Sequence, residues 1–173
     1  MSRGTPIQKT DMARILDHVY NWGFGDIVRA SIEGNAKLAG FILGACLIDA
    51  LAGFYAGVTK ETCKYGSGER FKQFVGKYMT RYDANNLWVD LRCGLVHSYA
   101  SGKSYAFTDA NRAGYHFDKR PDGMTILNLE DFLADIKHAF AEYRKDVLSD
   151  DALFVKAETR VGSLGIMALL TQP

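Results

Sequence analysis

Residues 39–58 read AGFILGACLIDALAGFYAGV and contain a single charged residue, Asp49. The stretch is nearly long enough to span a bilayer, and the charged residues Lys37 and Lys60 limit its length on either side. A charge near the middle of a span is costly in lipid, whereas a helix at the centre of a bundle is also apolar on all sides. We therefore predict a buried core helix from about Ala36 to Ala56, and no membrane association.

Apolar residues at helical spacing continue on both sides of this segment. A first helix is predicted from about Asp11 to Trp22, where Gly23 and Gly25 interrupt it, and a short segment over 26–33 leads into the core helix. Further helices are predicted over about residues 70–81, 84–99 and 129–148, the last two after the N-cap residues Asp83 and Asn128.

Residues 101–128 break the helical pattern. Short alternating runs (SYAFT, GYHF, MTILN) are separated by polar turns, one of which contains Pro121 and Gly123. This pattern predicts a small hairpin or irregular insert. The whole chain, 1–173, is then one mostly all-α domain, a four- to five-helix bundle with an insert at 101–128 and an apolar tail at 160–173.

Composition excludes several classes of protein. The 173 residues are 47% hydrophobic, which fits one compact domain. The net charge of +1 lacks the basic excess of proteins that coat long nucleic acids, although a local contact with RNA stays open. The opening residues show no apolar core of a signal peptide, so we expect a cytoplasmic protein.

Cysteines and histidines show no metal-binding pattern. Cys46, Cys63 and Cys93 are odd in number, widely spaced and without a CxxC pair, as expected of reduced thiols in a cytoplasm. The isolated histidines, which match no metal-ligand spacing, are His18, His116 and His138. We therefore expect no metal and no cofactor.

Residues 87–99, LWVDLRCGLVHSY, carry the pair most suited to chemistry, Arg92 and His97. Histidines commonly change charge near neutral pH and serve as acids or bases, while arginine stays charged and binds phosphate bidentately. On an ideal α-helix, five residues correspond to about 140° of rotation and about 7.5 Å of rise, so the two side chains do not share a face. The pair requires either local loosening at Gly94 or a second subunit related by a two-fold axis.

An arginine, four residues and a histidine on a late bundle helix resemble the HEPN (higher eukaryotes and prokaryotes nucleotide-binding) family, whose members share an Arg, four to six residues and a His. The architecture over about residues 10–150 is also similar, with an apolar helix carrying a mid-helix acid before the pair and a long closing helix after it. The resemblance implies a helical homodimer in which Arg92 and His97 of both subunits line a cleft.

The resemblance further implies a metal-independent endoribonuclease that leaves a 2′,3′-cyclic phosphate, or a member that has lost catalysis and binds RNA, a nucleotide or a protein partner. Active members often carry Asn, Asp or His directly after the arginine, whereas this chain has Cys93. Cys93 as a nucleophile would also need an orienting third group, and the sequence shows none.

Each residue of the pair also has a simpler interpretation. His97 fits a residue that interacts with the helix dipole in a last turn. Arg92 fits an arginine paired with Asp49 or Asp90, and such an acid is compatible with phosphate binding because it holds the guanidinium in place. With Asn86, which falls on the same side as His97, these two acids complete the predicted supporting residues.

The segment 60–82 has the strongest local positive charge, with six Lys or Arg against Glu61 and Glu69. Together with Tyr65 and Tyr82, these basic residues could bind an RNA strand and direct it to the site, although a row of charges on a helix is more often a solvent-exposed face. The predicted RNA-binding residues are Lys64, Arg70, Lys77 and Arg81.

Overall fold

A computed structural model describes residues 7–99, 102–109 and 114–164. This part of the chain is mostly helical, as predicted. The α-helices are α1 (Lys9–Val28), α2 (Lys37–Ala56), α3 (Ser67–Tyr78), α4 (Ala84–Asn86), α5 (Val96–Ser98), α6 (Leu129–Ser149) and α7 (Asp151–Leu164). Two π-helices, π1 (Arg29–Glu33) and π2 (Leu87–Leu95), and two strands, β1 (Tyr105–Thr108) and β2 (Thr125–Asn128), complete the described elements.

α2 lies at the centre of the fold and contacts α1, α3, α6 and α7. Its glycines allow close packing: a Cβ at Gly44 would lie 2.8 Å from the ring of Phe132 on α6. By length and composition alone α2 is able to cross a membrane, with a mean hydropathy of 1.9 over a window that is 56% buried in the fold. The prediction of a core helix is confirmed.

Two helix predictions are wrong at particular places. Gly23 and Gly25 do not interrupt α1, which continues to Val28. Each glycine costs a helix about 1 kcal/mol, but the close packing of Gly23 on Leu47 and the burial of Ile27 outweigh this cost. Residues 84–99 are not one α-helix, since the nine residues of π2 occupy its middle. The N-caps are confirmed, because Asp83 and Asn128 accept the backbone N–H of Asn86 and Asp131.

The insert is not a simple hairpin. β1 and β2 pair in parallel, with Tyr105 opposite Thr125 and Thr108 opposite Asn128. The predicted turn is nevertheless present, since Gly123 adopts a φ of +85° between the antiparallel bridge partners Lys119 and Thr125. Residues 100–101 and 110–113 lie outside the described residues.

The predicted tail at 160–173 begins inside α7, so residues 160–164 are helical, and residues 165–173 lie outside the described part. The sequence missed α7. When π1 is joined to α1, and α4, π2 and α5 are joined to one another, the described part has six helical segments, whereas four or five were predicted.

Candidate functional site

The backbone of π2 brings Arg92 and His97 together. A π-helix hydrogen-bonds residue i to residue i+5, so residues five apart lie one turn above each other. Arg92 is in π2 and His97 follows in α5, and Arg92 Nη1 lies 3.3 Å from His97 Nε2. Of the two arrangements that the sequence left open, local loosening of the helix is the one observed, and it juxtaposes the pair within a single chain.

The contact defines the hydrogen-bonding state of His97. A guanidinium has only N–H donors, so Nε2 of His97 accepts and the ring proton is on Nδ1. The imidazole is exposed to solvent. Its Nε2 lone pair is the feature that a general base uses, and here it points to the group best suited to hold a phosphate.

Asp49 fixes the guanidinium of Arg92 from the middle of α2. Its Oδ2 accepts from Arg92 Nε at 3.2 Å and from Nη2 at 2.9 Å. The side chains of Arg92 and Asp49 are only 20% and 16% exposed, and the guanidinium lies 5.4 Å from the centre of the Trp88 ring. The predicted pairing with Asp49 is confirmed, and the single charge of the apolar helix thus orients the arginine of the site.

Arg92 keeps donors for a ligand. Three of its five N–H groups are engaged, two by Asp49 and one by His97. The remaining two, one on each terminal nitrogen, make no hydrogen bond within the described residues, and guanidinium donors of this kind bind phosphate oxygens. Pairing with an acid and binding of a phosphate are therefore compatible in this geometry.

Cys46 lies one turn before Asp49 on α2 and has an exposed side chain. Partial burial raises the pKa of the Cys46 thiol; the charge of Arg92 lowers this pKa and that of Asp49 raises it, with a net upward shift. A thiol in this state is a poor nucleophile, because the thiolate is the reactive form.

The other two predicted supporting residues make different contacts. Asp90 is buried and accepts the backbone N–H of Ser104 at 2.8 Å, so it anchors the insert on π2. Asn86 lies at the start of the helical segment, where its backbone N–H donates to Asp83.

Two of the predicted RNA-binding residues, Lys77 and Arg81, border a cavity of about 410 Å³ between the end of α3 and α6. Lys77 forms an ion pair with Asp146 at 2.9 Å. The Arg81 guanidinium stacks on Phe117 at 4.4 Å from the ring centre.

The other two, Lys64 and Arg70, belong to the loop that joins α2 to α3 and to the start of α3. Lys64 lies 5.3 Å from the ring centre of Tyr65, and Arg70 donates to loop carbonyls. The structure also places Arg160 of α7 against α2 near this loop. No sequence signal identified Arg160, since it lies 90 positions from Arg70 in the chain and in a segment predicted as tail.

A second polar cluster, Tyr82–His116–Asp135, ties the insert to α6. The Asn128 backbone N–H donates to Nδ1 of His116 at 3.0 Å, so the ring proton of the neutral imidazole is on Nε2. Nε2 lies 3.0 Å from Tyr82 Oη, to which it donates, and Tyr82 donates to Oδ2 of Asp135 at 2.7 Å. Burial raises the pKa of Asp135, but hydrogen bonds from His116 and Tyr82 outweigh it and hold the pKa below its usual range.

This depressed pKa predicts a pH-dependent contribution to stability. The stabilisation is complete above the pKa of an unfolded aspartate, about 3.9, and is lost as the pH falls through the lower folded pKa. We expect Asp135→Asn to lower the free energy of unfolding by about 1–2 kcal/mol near neutral pH, and by progressively less below about pH 4. Urea unfolding from pH 7 to pH 3 measures this, with Asp118→Asn as the control, since Asp118 is exposed and forms no ion pair within the described residues. A difference between Asp135→Asn and the wild type that stays constant across this range would contradict the prediction.

Within the described ranges, no group of three or more His, Cys, Asp or Glu side chains is arranged to hold a metal ion. Comparison of the chain with protein-family models, with curated proteins and with solved structures gives no match. A functional assignment therefore rests on the geometry of the site.

Proposed function

We propose that this protein is a HEPN-like homodimer that acts in the cytoplasm as a metal-independent endoribonuclease through Arg92 and His97. The observation that carries the proposal is the 3.3 Å contact between Arg92 Nη1 and His97 Nε2, in which the arginine is held by Asp49. A base and a phosphate-binding group thus lie side by side, which is what RNA cleavage requires at one phosphodiester.

In the proposed reaction, the 2′-oxygen attacks the adjacent phosphorus. The 2′-O–P bond forms and the P–O5′ bond breaks, which leaves a 2′,3′-cyclic phosphate and a 5′-hydroxyl. His97 Nε2 takes the proton of the 2′-hydroxyl. The partner subunit's His97, in its protonated form, gives a proton to the leaving 5′-oxygen, so one proton is taken up and one is released.

Arg92 supplies the positive charge in this scheme. When RNA enters, its phosphate accepts from the terminal nitrogens of Arg92, and Nη1 leaves His97 Nε2. The imidazole lone pair is then free for the 2′-hydroxyl. Because Asp49 holds Nε and Nη2, the guanidinium is already oriented and loses little conformational freedom on binding.

The outer face of α2 supports a second copy of the chain as the partner. Leu43 is 38% exposed there, Cys46 about one turn later is exposed, and Val89 of the adjacent π2 is 49% exposed. An apolar strip of this kind is typical of an interface. It lies beside Asp49 and Arg92, so a two-fold axis at this face would bring both sites into one cleft.

We expect the chain to have twice its mass of 19.2 kDa in solution, and Leu43→Glu to convert it to a monomer, because the variant would bury a charge at the interface. Light scattering after size exclusion measures the mass. Val155→Glu is the matched control, since Val155 is an exposed apolar residue on α7. A wild-type monomer, or a Leu43→Glu dimer, would contradict the proposed cleft.

A non-catalytic module that binds RNA, a nucleotide or a cognate protein is the second candidate. The observation that favours it is Cys93, next to an arginine whose charge Asp49 already balances. Incubation of RNA with the protein in EDTA separates the two candidates: cleavage to 2′,3′-cyclic phosphate ends supports the nuclease, and binding without cleavage supports the module.

A further inference from the structure

Arg70 and Arg160 are two guanidinium groups that are held by backbone carbonyls. Arg70 donates from Nη1 to the carbonyl of Tyr65 at 2.7 Å and from Nη2 to that of Cys63 at 3.1 Å. Arg160 donates from Nη1 to the carbonyl of Val58 at 3.3 Å. The Nε–H group of each arginine is buried without an acceptor, so the hydrogen bonding of the pair is incomplete.

No carboxylate among the described residues lies within ion-pair distance of either guanidinium. The residues outside the described ranges contain no Asp or Glu. Glu69, the nearest acid in sequence to Arg70, contacts Lys72 and Gln73 instead.

The charge of Arg70 reaches Arg160. Burial and the positive charge of Arg70 lower the pKa of Arg160. A bound anion at the terminal nitrogens would offset both effects, because it supplies negative charge beside the two guanidinium groups.

Arg160 lies on the same face of α2 as the candidate site. Arg92 binds Asp49, and the guanidinium of Arg160 packs on Gly53 one turn later, where a Cβ would lie 3.0 Å from Nη2. Four residues of an α-helix correspond to about 6 Å along its axis. The charge of Asp49 reaches Arg160 as well, where it raises the pKa. Arg92 and Arg160 therefore follow one another along α2.

We propose that Arg70 and Arg160 bind a phosphate group of the RNA strand next to the phosphate held by Arg92. This proposal rests on the RNA-cleaving function proposed above and adds a subsite to it. Arginine forks match phosphate oxygens in geometry and charge. The exposed Lys60 and Lys64 of the adjoining loop extend the positive surface from this subsite.

The test is the affinity for a short single-stranded 2′-O-methyl RNA, which lacks the attacking hydroxyl, measured by fluorescence anisotropy over a range of salt concentrations. Arg160→Met keeps the unbranched apolar stem and removes the charged guanidinium that packs on Gly53. We expect about tenfold weaker binding and a salt slope that is shallower by about 0.7, the value for one phosphate contact to a single strand. Arg120→Met, which removes an exposed arginine paired with Asp122, is the matched control and is expected to bind as the wild type.

Equal binding by Arg160→Met and Arg120→Met would overturn the proposal. If Arg160→Met does not fold, as judged by circular dichroism, the same binding measurements on Arg70→Met, which changes α3 instead of α7, test the proposal. If the wild type binds RNA in an Arg160-dependent way but does not cleave it, the nuclease assignment fails and the subsite stands. If inorganic phosphate raises the Tm of the wild type but not of Arg160→Met, while RNA does not bind, the assignment to RNA is overturned in favour of a free anion.

Discussion

RNA cleavage in EDTA is expected to fall by about 100- to 10,000-fold when His97 is replaced by alanine, because the variant loses the group that takes the 2′-hydroxyl proton. His97 is exposed, and its side chain contacts Arg92 rather than the apolar core. The substitution should therefore leave the fold and the affinity for uncleavable RNA nearly unchanged. The measurement is the initial rate of cleavage of a labelled single-stranded RNA, with the cyclic phosphate identified at the new end.

His18→Ala is the matched control for this loss. His18 is also an exposed histidine, but it lies on α1, where its ring is 5.2 Å from that of Trp22. We expect His18→Ala to cleave at the wild-type rate. Equal rates for all three proteins would show that His97 does not act in cleavage and would remove the catalytic proposal.

The central helix and its charge were predictable because the physical signal is local. Twenty residues with one acid identify α2 as a core helix, and that acid needs a cation in a buried setting. The sequence indicated Asp49 or Asp90 as the partner of Arg92, and the structure pairs Arg92 with Asp49, 43 positions away in the chain. The N-caps Asp83 and Asn128 were predictable for the same reason, since a cap depends on its next three residues.

The geometry of the site was not predictable, because distant contacts determine it. The choice between an α-helix and a π-helix at Leu87–Leu95 depends on tertiary contacts, such as the hydrogen bond from Ser104 to Asp90 and the close approach of Gly102 to the same carboxylate. The role of Arg160 was unpredictable for the same reason, because the residue contacts α2 only after α7 has folded onto it. The parallel pairing of β1 with β2 likewise depends on the bundle that holds both ends of the insert.

Replacing Asp49 by asparagine is expected to lower the free energy of unfolding by about 2–3 kcal/mol and to reduce cleavage. Loss of one partner from a buried ion pair leaves an uncompensated charge, which costs about 3–5 kcal/mol when burial is complete. The side chains here keep 16% and 20% exposure, so the cost is smaller. Urea unfolding measures the first effect, and cleavage in EDTA the second.

A double variant separates the structural role of the ion pair from its role in the site. Asp49→Leu with Arg92→Met removes both charges, and apolar replacement of a buried ion pair is often neutral or stabilising. Oδ1 of Asp49 is also buried without a hydrogen-bond partner, so its removal eliminates an existing cost. We therefore expect the double variant to be within about 1 kcal/mol of the wild type in stability and yet inactive in cleavage. A stable double variant that still cleaves RNA would mean that Arg92 serves the fold alone, and that the positive charge at the phosphate comes from elsewhere.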